Sequence, residues 1–118
     1  MAGRIIRGEV RICTFPFPDK KRPVVVMTRN SAIDYLAYVT VAPITSTIRG
    51  ATSEVVLDES DGMKSPCAVN LFNTVTVPKD RLGKRVAQLS PARMGEICAA
   101  LRFTVGCDFI EESTSVLH

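Results

Sequence analysis

A chain of 118 residues suits one domain, and 46% hydrophobic residues can fill its core. No apolar run reaches the roughly 18 residues of a membrane helix, and the opening MAGRIIRGEV is too short and too charged for a secretory signal, so a soluble, cytoplasmic protein is expected. The net charge is +3, and the one histidine is the last residue, His118, a poor place for a catalytic base that argues against histidine pairs, Cys–His dyads and Ser–His–Asp triads.

In chain order, residues 8–15 (GEVRICTF) alternate loosely and read as a strand. Residues 16–23 (PFPDKKRP) read as a loop, because proline cannot donate to a ladder. Residues 24–28 (VVVMT) form a β-branched run that suits a buried strand. Residues 29–34 suit one helical turn, with Ser31 as its cap. Residues 38–44 are the third strand, 46–53 a loop, and 54–57 a short fourth strand. A polar connection, 58–66, leads to strands at 67–71 and 74–77, with Asn73 near the bend between them. Residues 78–82 suit a helical turn and 85–89 a last strand. The stretch SPARMGEICAALRF reads as a helix: Ser90 is a good N-cap, Pro91 is tolerated at the first position, and Met94, Ile97, Cys98 and Leu101 share one face. Residues 110–118 are expected to fray. The whole reads as a single domain over 1–118, mainly β: a small antiparallel barrel or curled sheet with the C-terminal helix packed on it. That architecture says nothing about function.

Charge is unevenly spread. Residues 1–53 carry eight Lys/Arg against three Asp/Glu, whereas residues 54–118 carry seven against nine. A basic half is what a polyanion-binding face gives, and it also arises by chance. Cys13, Cys67, Cys98 and Cys107 form no C-x-x-C pair and read as small buried hydrophobes in a reducing compartment. Asp58, Glu59 and Asp61 lack EF-hand spacing and read as a solvated turn. With no Walker A loop and no G-x-G-x-x-G, neither metal nor cofactor is expected.

What remains is arginine with hydroxyls. Arg22 stands between the proline-rich loop and a buried strand; Thr45, Ser46 and Thr47 stand where another buried strand ends. An antiparallel barrel can bring both to one rim. The guanidinium fork matches a phosphate, and hydroxyls add donors. Such a site can hold a phosphodiester while a neighbouring 2′-hydroxyl attacks it, through orientation and charge stabilisation alone. The ordinary alternative is a solvated arginine and a turn whose hydroxyls bond their own backbone. Arg29 and Arg49 read as surface charges. Residue types alone leave both readings open.

The stretches RGEVRICTFPFPDKKRPVVVMTR, VTVAPITSTIRG and AVNLFNTVTVPKDRLGKRVAQLSPARM together resemble the MazF/PemK toxin endoribonucleases of type II toxin–antitoxin systems, over roughly residues 6–103. The resemblance implies an SH3-like barrel of the MazF/CcdB type, a homodimer, and metal-independent, sequence-specific cleavage of single-stranded RNA, leaving 2′,3′-cyclic phosphate and 5′-hydroxyl ends. It also implies a cognate antitoxin, MazE-like or other, that lays a flexible segment over the RNA groove. Carried over residue by residue, it assigns catalysis to Arg22 and Thr45. Because a guanidinium stays protonated, the charge role of Arg22 comes before a base role. Substrate contacts are expected from Ser46 and Thr47, from Pro18, Lys20 and Lys21 in the first loop, and from Arg49 and Asn73. Two departures stand out. The first loop is short and lacks the family's glutamate, and Phe72–Asn73 stands where many members have an acid and a glutamine. Asn73 can keep the polar contact; Phe72 is expected in the core, with base stacking as the other reading. Two further functions stay open: a non-enzymatic gyrase-poisoning toxin of the CcdB type, and a degenerate member that binds RNA without cutting it.

Overall fold

The computed structural model describes residues 3–16 and 20–107. Seven strands run in the order β1 (Glu9–Phe15), β2 (Lys20–Val26), β3 (Tyr38–Thr45), β4 (Glu54–Leu57), β5 (Cys67–Asn70), β6 (Val75–Pro78) and β7 (Leu82–Gln88). A one-turn helix, α1 (Asn30–Ile33), precedes β3, and α2 (Pro91–Thr104) ends the described chain. The strands form one antiparallel sheet ordered β4-β5-β3-β2-β1-β7, with β6 also paired to β3. β3 is the axis of this arrangement. β2 pairs along one edge at Val24↔Pro43, and β6 and β5 share the other at Val75↔Val41 and Val69↔Ile44. A single 3₁₀ turn, Leu71–Asn73, breaks that shared edge and lets it change direction.

Strand alternation gives the sheet two buried faces. Val25, Ala42, Ile44, Leu57, Val69 and Leu71 pack beneath Met94, Ile97 and Ala100 of α2. Their neighbours Val24, Val26, Val39 and Val41 face the other way, with Cys13, Ile33, Val77 and Leu82. Each such Val, Leu or Ile contributes roughly 1.5–3 kcal/mol on burial. α2 starts at the expected cap: the Ser90 hydroxyl accepts the Arg93 amide at 3.1 Å and Pro91 follows.

The segment Arg7-Gly8-Glu9-Val10-Arg11 ties these layers together. Arg7 donates through its guanidinium to the Met27 carbonyl and to Cys98 Sγ on α2. Glu9 and Arg11 are each 2% exposed and form a 2.9 Å ion pair. Arg11 also donates to the carbonyls of Gly83 and Arg4, while Glu9 accepts the Ile6 amide. Gly8 has φ +89°, and a Cβ there would meet Gln88 Nε2 at 2.8 Å, so the turn into β1 requires glycine.

Several expectations are corrected. β2 begins at Lys20, not at residue 24, because Lys20, Lys21 and Arg22 pair with Phe15, Thr14 and Cys13. β7 begins at Leu82, where it pairs with Cys13. Ser31 does not cap α1: Arg29 occupies the cap without a side-chain bond, and the Asn30 side chain is taken by the Arg7 amide. Cys13 and Cys67 are buried, but Cys98 is half-buried and Cys107 exposed; all four are free thiols. On α2, Met94 and Ile97 are buried and Leu101 packs against the same core as expected, while Ala100 is buried more deeply than Cys98. The fraying expected at 110–118 lies outside the described residues.

Candidate active site

β2 and β3 carry the two predicted catalytic residues toward each other. Their register runs Val26↔Val41, Val25↔Ala42, Val24↔Pro43; continued two residues further, it sets Arg22 opposite Thr45. Residues opposite one another in antiparallel strands share a face. Both residues line one groove of about 670 Å³, together with Ser46. The groove crosses the sheet from Lys84, Arg85 and Val86 on β7, past Ile12 on β1 and Arg22–Pro23 on β2, to Ile44–Ser46 and Cys67, and is closed by Met63, Lys64 and Ser65.

Its chemistry is one-sided. Among the described lining residues, four are Lys or Arg and none is Asp or Glu. The Arg22 side chain is exposed and has no hydrogen-bond or ion-pair partner among the described residues. Thr45 is half-buried, and its Oγ1 accepts the Thr47 amide at 3.1 Å. That bond occupies a lone pair and leaves the hydroxyl proton to be donated outward. The ordinary turn and the phosphate donor are thus one arrangement. Arg85 is held 3.6 Å from Glu9, which links the groove wall to the buried Glu9–Arg11 pair. Apolar surface from Ile12, Ile44, Met63 and Val86 lies between the cations, room for a base as well as a phosphate.

The remaining predicted contacts fall elsewhere. Lys20 and Lys21 are exposed on β2 short of the groove, and Pro18 lies outside the described residues. Thr47 contributes a backbone amide to Thr45, not a groove-lining side chain. Arg49 sits in an exposed loop whose backbone, with that of Gly50, donates to Glu54 Oε1. Asn73 is exposed on the 3₁₀ turn and lines no part of the groove. Phe72, expected in the core, is 66% exposed on the same turn, held out because Leu71 takes the buried position. Residue type alone does not single out Lys64, Ser65, Lys84 or Arg85. Lys84 and Arg85 belong to R-L-G-K-R, and their strand pairing with β1 is what turns a surface charge run into a groove wall.

Burial pushes the Cys67 thiol up, and the charges of Asp61 and Asp58 push it the same way. Burial likewise raises Cys13, against the opposing field of Arg81. Neither thiol is a nucleophile at neutral pH. Among the described residues no cluster of three or more His, Cys, Asp or Glu is placed to hold a metal ion. No helix among them is long and apolar enough to cross a membrane.

The profile described as PemK-like, MazF-like toxin of type II toxin–antitoxin system matches residues 6–105, and the chain belongs to that family. It is 39% identical over 102 residues to the probable endoribonuclease MazF2 of Mycobacterium tuberculosis, covering 86% of this chain and 98% of the relative. It is 44% identical over 102 residues to the probable endoribonuclease MazF5 of the same organism, covering 86% and 93%. Among solved structures, an endoribonuclease in complex with its cognate antitoxin from a mycobacterial species superposes with a TM-score of 0.78 at 28% identity, covering 87% of this chain and 96% of that one.

Proposed function

We propose that this protein is the toxin of a type II toxin–antitoxin system and an endoribonuclease that cleaves single-stranded RNA at a short sequence motif in the cytoplasm, without a metal. The observation that carries the reading is the shared placement of Arg22 and Thr45 on one groove whose described lining residues include no carboxylate. A phosphodiester seated there meets the Arg22 fork and the Thr45 hydroxyl. The adjacent 2′-oxygen bonds to phosphorus, the P–O5′ bond breaks, and the proton lost by the 2′-hydroxyl reaches O5′ through water. The products are a 2′,3′-cyclic phosphate and a 5′-hydroxyl. Arg22 stabilises the pentacoordinate charge and Thr45 fixes the phosphate; Ser46 stands beside them as a further donor.

The departure at Phe72–Asn73 lies on a turn outside the groove lining, so the proposed chemistry does not pass through it. A cognate antitoxin segment over the groove and a homodimer complete the proposal. They are supported by family membership and by the antitoxin complex of the similar mycobacterial endoribonuclease. The test is cleavage of a long unstructured RNA in EDTA by wild type and Arg22→Ala, with new 5′ ends mapped. Wild type is expected to cut at one motif and Arg22→Ala to be slower by about 10²–10³-fold. Intact RNA with wild type overturns the reading, and equal rates remove Arg22 from the mechanism.

A further inference from the structure

The far end of the groove holds two more cations that the catalytic reading leaves without a task. Lys84 is exposed on β7, and Lys64 is exposed on the loop after the 3₁₀ turn Glu59–Asp61. Both line the groove, and neither has a hydrogen bond or ion pair to another described residue. Several other cations have partners within the fold: Arg4 pairs with Asp34 at the surface, Arg11 with Glu9, Arg93 with Asp61 and Glu96, and Lys79 donates to the Ile33 carbonyl.

The loop that carries Lys64 is a built wall. Asp58 and Asp61 close a reciprocal capping box around residues 59–61, and Gly62 turns the chain at φ +90°. A Cβ on Gly62 would meet Ala87 Cβ at 3.0 Å, so the loop lies directly on β7, the strand that bears Lys84. Arg93 of α2 holds Asp61 at 2.9 Å and anchors the loop from behind. The acidic run is a largely exposed turn, as expected, and its Asp58 and Asp61 side chains also fix its shape; Lys64 follows it and lines the groove.

Thr45 is on β3 and Lys84 on β7, with β2 and β1 between them. Along the sheet that is three strand spacings, about 14 Å. A phosphate on Arg22 and Thr45 is too small to reach the Lys84 end. We infer that Lys64 and Lys84 form a second phosphate subsite, so that the groove binds RNA over at least two phosphates and the second one sets substrate affinity. This inference rests on the proposed endoribonuclease activity. Lys64 and Lys84 do not touch the scissile phosphate; they hold the strand that carries it, and Asp61 and Arg93 position Lys64.

The experiment compares wild type, the Lys64→Ala/Lys84→Ala double variant and an Arg102→Ala control, which removes a charge from the exposed face of α2. Steady-state cleavage of a short RNA bearing the mapped motif is measured across a salt series. The double variant is expected to raise KM about tenfold with kcat within about twofold, the pattern of lost uniform binding. The slope of log affinity against log salt should shallow by about 0.7, because one phosphate fewer is neutralised on binding. Unchanged KM and slope overturn the inference, as does the same change in Arg102→Ala or a fall in kcat with KM intact. If wild type cuts no RNA, the proposed function fails on its own. Binding of a mixed-sequence 2′-O-methyl RNA, read by fluorescence anisotropy, then decides the subsite: a shallower slope in the double variant alone supports it, and equal slopes overturn it. Both lysines are exposed, so matching melting temperatures are expected, and the anisotropy comparison stands for any variant that folds.

Discussion

Two sets of arginines in this protein make opposite use of the same side chain. Arg7 and Arg11 are spent inside the fold, on carbonyls, a thiol and a buried carboxylate. Arg22 has no partner among the described residues and lines the groove. A guanidinium whose donors are filled holds elements together, and one whose donors are open waits for an anion. Partner, not residue type, separates the structural arginines from the one proposed to act on the phosphate.

The sharpest way to break this comparison is to unpair the internal set. Glu9→Ala leaves Arg11 buried without its carboxylate and should cost about 3–5 kcal/mol of stability, read by denaturant unfolding. A loss under about 1 kcal/mol would show that the pair is no more than a surface bridge. The open set predicts the reverse pattern: Arg22→Ala should keep the wild-type melting temperature while losing cleavage. Thr45→Val keeps the shape but removes the donor, and should slow cleavage about tenfold or more, the worth of a hydrogen bond to a charged group, with stability little changed. Arg93 lies between the two sets, a quarter exposed and bonded to Asp61 and Glu96. Arg93→Ala should cost about 1 kcal/mol in thermal unfolding, and raise KM through the displaced loop rather than kcat.

The smallest effect concerns pH. The Ser60 hydroxyl and amide hold the Asp58 carboxyl below the ordinary range. Its folded pKa is therefore depressed, so its contribution is present above the unfolded value of about 3.9 and is lost as pH falls through the folded one. Asp58→Asn should lower stability slightly at neutral pH, leave it unchanged at low pH, and so flatten the acid limb of the stability curve.

Much of this molecule is legible in its residues. β3, β4 and α2 follow from β-branched runs, a Ser-Pro helix start and helical spacing. Arg22 and Thr45 are reached through hydroxyls at a strand end and through motif resemblance. What residue type does not convey is long-range pairing. Lys20 to Arg22 look like loop because they are charged, yet β1 gives them ladder partners. Residues 82–84 hide a strand behind Gly83, which lies close to the Ile12 carbonyl. Phe72 reads as core by hydropathy, but a 3₁₀ turn gives the interior to Leu71. Lys64 becomes visible only when the packing of Gly62 on Ala87 lays its loop on β7.

The pairing of β1 with β7 has a consequence for the timing of synthesis. Arg11 finds Arg85 as its register partner, so the first strand waits for the last before the groove has both walls. Pairings this distant in sequence close late. A nascent chain that has emerged only as far as β6 carries Arg22 and Thr45 but not Lys84, Arg85 or Val86. The groove proposed here therefore stays incomplete in a nascent chain until β7 has emerged and paired with β1.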